Sequence, residues 1–266
     1  MTLNSILFFF IGIILSPFFI NIGYRLPVDK NIFSKSKCDN CNHELSFIEK
    51  IPVLSYFLCK GRCKNCHQKI SILYLLFELG TGIIFSLAYT VFIKESYPYI
   101  KLAIGLLFLS SLIVITLGDI KYMLIPDELL IVSSVILMAL KVYLGFKNEE
   151  LTNMIDAGYL IIFMLIDAVV MFVIMYIIKK MGDMIFKKES LGGGDVKMMC
   201  LIAIMMGYKM SIIVIFIASF IALPISIYNA YRKSEAMLPF GPYLAAATVI
   251  LYLCQIDFNM VLDFIH

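Results

Sequence analysis

Leu191-Gly-Gly-Gly-Asp-Val-Lys197 runs into a stretch, Val196 to Met206, that is apolar apart from Lys197. Glycine permits close backbone approach and dihedrals barred to other residues. The single carboxylate, Asp195, falls where the chain enters an apolar run of membrane character. An ionisable side chain there is expensive and is a functional candidate by default. Two plainer readings stand beside that one. The glycines could serve helix packing, and the aspartate could simply cap a helix start. What separates the readings is a second carboxylate at an equivalent place, and Asp119 is one.

The surrounding composition sets the class. Of 266 residues, 61% are hydrophobic and only 15% charged, which excludes an ordinary soluble protein. A formal charge of +3 gives no support to a nucleic-acid partner. The pattern is that of an all-α polytopic membrane protein in a lipid bilayer. Apolar runs at residues 3–22, 72–93, 102–117, 129–146, 157–178, 196–207, 211–228 and 243–261 give about eight transmembrane helices. The run at 196–207 is short for a full crossing. A helix starting inside the membrane at the glycines and a re-entrant segment both explain it. No Lys or Arg precedes the first run and Arg25 follows it, which reads as a membrane helix with its N-terminus outside rather than a signal peptide. No internal repeat or low-complexity tract is evident. The expected division is a first helix (1–23), a polar insert (24–70) and a membrane core (71–266).

The basic residues orient this arrangement. With eight spans, seventeen of the twenty-two Lys and Arg fall in one alternate set of loops: Tyr24–Lys69, the turn at Lys121, Lys179–Lys197 and Arg232–Lys233. Lys94, Lys101, Lys141, Lys147 and Lys209 make up the other set. Cytoplasmic loops carry the excess, so the first set faces the cytoplasm and brings Asp119 and Asp195 to the same membrane face. The location implied is the plasma or inner membrane, multi-pass.

Asp119 stands in GDIKYMLIPDE at the inner end of the third helix, and Asp195 in GGGDVK at the start of the sixth. Two carboxylates within a few ångströms do not both ionise, and the pair shares a proton. Such a dyad activates water for attack on a carbonyl and needs neither metal nor covalent intermediate. Other hydrolytic apparatus is missing: there is no GxSxG or HExxH, and the histidines are His43, His67 and His266. Asp127, just after Pro126, reads as an N-cap. Asp167, in the middle of the fifth helix, reads as an interhelical hydrogen-bonding group or a further functional acid. Lys121 and Lys197 each lie two residues from an aspartate, off its helical face. They read as cytoplasmic anchors, with Lys197 also placed to set local charge in the active-site loop with Gly192 and Gly194.

The polar insert holds Cys38-x2-Cys41 and Cys63-x2-Cys66. Facing a reducing compartment, these are poor disulfide candidates. Four thiolates at this spacing suit a closed, structural Zn²⁺ site, and an insert with so few aliphatic residues needs such a staple. A redox pair remains the alternative, as does a site recruiting Cys59, His43 or His67. Cys200 and Cys254, in apolar runs, read as small hydrophobes.

GGGD fits the GxGD signature, and GDIKYMLIPD is similar to the first aspartate motif of type IV prepilin peptidases. INIGYRLP, the two CxxC motifs, KISILYLLFELGTG and LPFGPYLAAA resemble further segments of that family, in the same order along nearly the whole chain. The resemblance implies that Asp119 and Asp195 are the catalytic aspartates, with Gly192 and Gly194 the signature glycines. It also implies that Pro239, Gly241 and Pro242 help shape the site. The expected activity is removal of the short basic leader of prepilins and pseudopilins at the cytoplasmic face, for which a monomer suffices. The tetracysteine form resembles the bifunctional type, which also methylates the new N-terminus with S-adenosylmethionine; Arg25 and Glu78 match family positions near that region. Two rivals are weighed: a presenilin- or preflagellin-like GxGD protease with another substrate, and a non-enzymatic transporter or scaffold using the aspartates for cations or protons.

Overall fold

The structure, a computed structural model, describes residues 3–32, 34, 36–38, 40–46, 48–187, 191–231 and 239–265. Lys35, Lys188 and the Arg232–Lys233 loop, all used in the charge asymmetry, lie outside the described residues, as does His266. The chain divides into two compact units, Met1–Lys94 and Glu95–His266.

In the first unit, α1 (Leu3–Arg25) packs along α3 (Ile72–Phe92). Small residues let the two backbones meet: a Cβ on Gly12 would lie 2.8 Å from the Thr81 carbonyl oxygen and 2.9 Å from Gly82 Cα. Between helices in lipid, where apolar burial gains little, such close packing is what holds them. Ser16 and Thr81, buried at this interface, return their hydroxyls to backbone carbonyls of Ile13 and Phe77. The insert between them holds a short helix, α2 (Leu54–Leu58), and two isolated antiparallel bridges, Lys37 with Glu44 and Arg62 with Lys69.

The second unit is a helical bundle: α4 (Pro98–Tyr122), α5 (Asp127–Lys147), α6 (Met154–Phe186), α7 (Gly193–Met206), α8 (Tyr208–Tyr231), α9 (Gly241–Leu253) and α10 (Phe258–Ile265). Among the described residues six helices are long and apolar enough to cross a membrane: α1, α3, α4, α5, α6 and α8. The protein is a multi-pass membrane protein. The expected count of about eight resolves into these six plus two shorter apolar helices, α7 and α9.

The two short helices differ from expectation in instructive ways. α7 starts at Gly193 and covers 14 residues, about 21 Å at 1.5 Å per residue. It is packed against α5, α6, α8 and α9, with Met198, Met199, Leu201, Ile202 and Ala203 buried. A helix apolar all round is a core helix as readily as a span. The expected single span over 243–261 is interrupted instead. α9 stops at Leu253, Gln255 takes a left-handed conformation (φ 49°), and α10 begins at Phe258. The Gln255 side-chain amide donates to Glu95, which also pairs with Lys101, so the turn is tied to the start of α4.

Candidate functional site

Asp119 occupies the last turn of α4 and Asp195 the first turn of α7, and they are only 6% and 5% exposed. They come together at the start of a third helix. The backbone N–H of Gly241, first residue of α9, donates to Asp119 Oδ2 at 3.1 Å. N–H groups in the first turn of a helix lack partners within it and attract anions. A Cβ on Gly241 would lie 2.6 Å from Asp119 Oδ2 and 3.3 Å from Asp195 Oδ1. Both carboxylates therefore border the space that this glycine leaves by having no side chain.

Asp195 is held differently. It is the third helical residue after the cap, and its carboxylate reaches back to the Gly192 N–H, half of a capping box. Its Oδ1, on the side of Asp119, is buried without a hydrogen-bond partner among the described residues. An unpartnered buried carboxylate oxygen is costly. Capping and dyad are thus not competing readings of Asp195: one oxygen caps and the other faces Asp119.

The three glycines before it have unequal jobs. A Cβ on Gly192 would stand 3.1 Å from Asp195 Oδ2, and one on Gly194 would stand 3.0 Å from Ile125 Cβ and Cγ1. Gly193 would meet nothing within 4 Å. The spacing G-x-G-D follows: two positions must be small, and the one between is free. Ile125 belongs to the loop that follows Asp119, so the second motif is seated directly on the first.

Lys197 turns away from this pair. Its ammonium lies 2.7 Å from both carboxylate oxygens of Asp127, and each side chain is about half exposed. This corrects the reading of Asp127 as an N-cap: the cap is Pro126, with no side-chain bond, and Asp127 is the first residue of α5. Lys179 of α6 bears electrostatically on Asp195, a contribution nothing in the sequence marked. The Gly241 bond was also invisible there, although LPFGPYL had been singled out.

In the first unit, the four sulfurs of Cys38, Cys41, Cys63 and Cys66 lie within 4.8 Å of one another. Cys38 Sγ is 3.8 Å from Cys66 Sγ, and Cys41 Sγ is 3.9 Å from Cys63 Sγ. Thiolates at tetrahedral Zn²⁺, with bonds of about 2.3 Å, stand roughly 3.8 Å apart. The two halves are built alike. Cys38 N–H donates to His43 O and Asn42 N–H to Cys38 O; Cys63 N–H donates to Gln68 O and His67 N–H to Cys63 O. Asn42 and His67 both take left-handed conformations, at φ 55° and 56°. CDNCNHE and CKNCHQK thus form a short structural repeat that the sequence barely advertises. The Gln68 backbone N–H, then the Asn40 side chain, draw the Cys66 thiol down to about 6, while the Cys38 thiol of the same cluster is pushed up to about 11. Cys59, His43 and His67 contribute no atom to the cluster.

Arg25 and Glu78 have local partners. Arg25 Nη1 donates to the carbonyls of Asn31, Ile32 and Ser34, holding the chain as it leaves α1. Glu78 accepts the Val53 N–H at 2.6 Å. Val53 sits at φ 61°, ψ −56°, with Leu54 N–H turned onto the Pro52 carbonyl, a strained turn for a β-branched residue.

A bundle that buries two acids, in a chain that also carries a paired cysteine cluster, defines a membrane protein equipped for acid–base chemistry. Family comparison is specific about which. Residues 10–92 match the Bacterial Peptidase A24 N-terminal domain, and residues 106–227 match the Type IV leader peptidase family. The chain is 30% identical over 258 residues to the prepilin leader peptidase/N-methyltransferase of Bacillus subtilis (strain 168), covering 94% of this chain and 93% of that one. It is 29% identical to the protein of that name from Dichelobacter nodosus, over 82% and 70% of the two chains, and 28% identical to that of Aeromonas hydrophila, over 85% and 73%. No solved structure matches. The chain belongs to the type IV leader peptidase family.

Proposed function

We propose that this chain is a membrane aspartic endopeptidase that removes the leader of type IV prepilins and pseudopilins at the cytoplasmic face. The observation that carries the reading is the pair of buried carboxylates bordering one glycine-sized space. In the resting pair one carboxylate holds a proton and the other does not. The ionised one takes a proton from water, which attacks the scissile carbonyl, while the protonated one donates to the carbonyl oxygen. The Gly241 N–H steadies Asp119 and the Gly192 N–H steadies Asp195, so neither acid needs a side-chain partner. As the tetrahedral intermediate collapses, the proton taken from water passes to the leaving amine, a hydroxyl of the intermediate returns its proton to the other acid, and the pair is reset.

The division of labour we propose follows the chain. Residues 71–266 hold the peptidase chemistry, and residues 24–70 fold around structural Zn²⁺ held by Cys38, Cys41, Cys63 and Cys66. The sulfur spacing supports that ion. The excess of Lys and Arg in the loops flanking both motifs supports a cytoplasmic site and suits the bilayer face at which a leader would emerge. A single copy suffices for this chemistry. Methylation of the new N-terminus, with S-adenosylmethionine as methyl donor, is the second half of the proposal, supported by the names of the relatives.

The test is cleavage of a matching prepilin by purified wild type, Asp119→Asn and Asp195→Asn, each shown to be folded. Loss of cleavage in both variants is the expected result. Near-wild-type cleavage by either one would overturn the dyad. Methyl transfer is followed in the same reactions with a labelled donor. Wild-type enzyme that cleaves but never labels its product removes that half alone.

A further inference from the structure

α7 carries Asp195 in its first turn and stops at Met206; its 14 residues span about 21 Å, short of the ~30 Å of a bilayer core. Its last carbonyls therefore need partners where water is scarce. The backbone satisfies one of these groups, since Gly207 N–H returns to Ala203 O. The next two are taken by a lysine from another helix: Lys141 Nζ donates to Ile204 O at 3.0 Å and to Met205 O at 3.2 Å. Sequence reasoning had counted Lys141 among the loop residues, but it lies well inside α5, with its ammonium on the end of α7. A cation at a helix C-terminus is favourably placed against the helix dipole. Asp167 of α6 acts on it electrostatically. The same carboxylate closes on the α7–α8 junction, where Gly207 adopts φ 81° and a Cβ would lie 3.7 Å from Asp167 Oδ2. Asp167 thus supplies counter-charge at this end of α7 without closing an ion pair on Lys141. It also lines a cavity of 410 Å³ with Lys209, Asp257 and Asn259.

We propose that Lys141 and Asp167 form a clamp that fixes the axial position of α7 and so sets Asp195 against Asp119. Both residues are positioning residues, remote from the reacting atoms. The physical argument is stiffness. An α-helix barely stretches along its axis, so a shift where Lys141 holds Ile204 and Met205 appears almost undiminished at Asp195. Misplacing a reacting group by about 1 Å can lower a rate on the order of a hundredfold. At the other end, the exposed Lys197–Asp127 pair is too weak to hold the helix alone.

The inference rests on the peptidase reading for its activity arm only. In reconstituted full-length enzyme, Lys141→Met should lower kcat for prepilin cleavage roughly tenfold or more, with KM nearly unchanged. Lys141→Arg, which keeps the cation and its donors, should restore most of kcat. Asp167→Asn should fall between them. Hydrogen exchange of the α7 amides supplies a readout independent of any activity: Lys141→Met should speed exchange along α7, and Lys141→Arg should not. Wild-type kcat and unchanged exchange in Lys141→Met would overturn the clamp. So would an equal loss in Lys141→Arg and Lys141→Met, which would mean general destabilisation rather than positioning. A wild type that cleaves nothing removes the peptidase reading, while the exchange experiment still decides the clamp.

Discussion

The cysteine cluster draws its four ligands from two short loops of like construction, residues 37–44 and 62–69, each closed by its own backbone bonds. The acidic pair needs the end of α4 and the starts of α7 and α9, and the bond between Gly241 and Asp119 joins residues 122 positions apart. The first is a local device whose two halves bring four sulfurs within reach of one metal ion. The second is a product of the whole bundle, with no group of its own to hold it together. A site of the first kind fails when its ligands go. A site of the second kind fails whenever helices shift, and so tolerates little change even where no functional group is touched.

The largest effect should come from the acids. Asp119→Asn and Asp195→Asn are each expected to lower cleavage roughly a thousandfold or more, because the pair acts as a unit. Their zinc content should match wild type, since neither acid takes part in folding the insert. Wild type should show a bell-shaped dependence of kcat/KM on pH. The acid limb appears when both carboxyls hold protons and the basic limb when neither does, and both belong to the pair rather than to one residue. A single-limbed profile would mean that one carboxylate works without its neighbour.

The glycines should come next, and they grade the comparison finely. Gly241→Ala puts a methyl 2.6 Å from Asp119 Oδ2, so one of the acids must move. A loss on the order of a hundredfold in kcat is expected. Gly194→Ala presses on Ile125 from 3.0 Å and should lose less, because an isoleucine side chain can give a little. Gly193→Ala meets open space on a helical residue and should retain activity with slightly raised thermal stability, as expected when alanine replaces glycine in a helix. Equal losses at all three positions would mean that the triple glycine serves flexibility and not close approach.

These gradations show where the sequence was legible. The cysteine cluster could be read from spacing because each half of it is local, and CxxC fixes its own geometry. Asp119 and Asp195 could be read because an acid at the edge of an apolar run is costly. Gly241 could be named but given no role, since nothing local says that a backbone N–H will meet a carboxylate in a distant helix. Hydropathy alone left α7 open. It measures transfer from water, and the interior of the bundle is as apolar as lipid, so a buried helix and a short span look alike. It gave no warning at Gln255, where one left-handed residue splits an otherwise continuous apolar run into α9 and α10. Lys141 was miscounted for a related reason: a charge inside a helix signals a buried partner, and here the partners are backbone carbonyls that a sequence does not display.

Metal removal should act on the insert and spare the bundle. Wild type is expected to hold about one zinc per chain, and Cys63→Ser or a strong chelator should release it. The insert should then become sensitive to proteolysis between Tyr24 and Lys69, because it has too little apolar core to fold alone. Cleavage of prepilin should fall by roughly tenfold or less, well short of the acid variants. A collapse of activity as complete as that of Asp119→Asn would erase the distinction between the two sites and make the metal part of the reaction's own scaffold.

The smallest expected effect is at Lys197. As a member of the active-site loop it would be a sensitive position, but it is bound to Asp127 on the surface, and both side chains are about half exposed. Exposed pairs contribute about 1 kcal/mol at most, so Lys197→Met should change kcat by a factor of about five or less. What remains should vanish in high salt, where exposed charges are screened over about 3 Å at 1 M. Asp127→Asn should match it, and the double variant should be no worse than either single one, as expected for partners in one interaction. A hundredfold loss in Lys197→Met that Asp127→Asn does not reproduce would return Lys197 to the reaction itself. It would then be a cation reaching the dyad only once substrate is bound, and α7 would be a helix whose outer end moves during the cycle while the Lys141 end stays fixed.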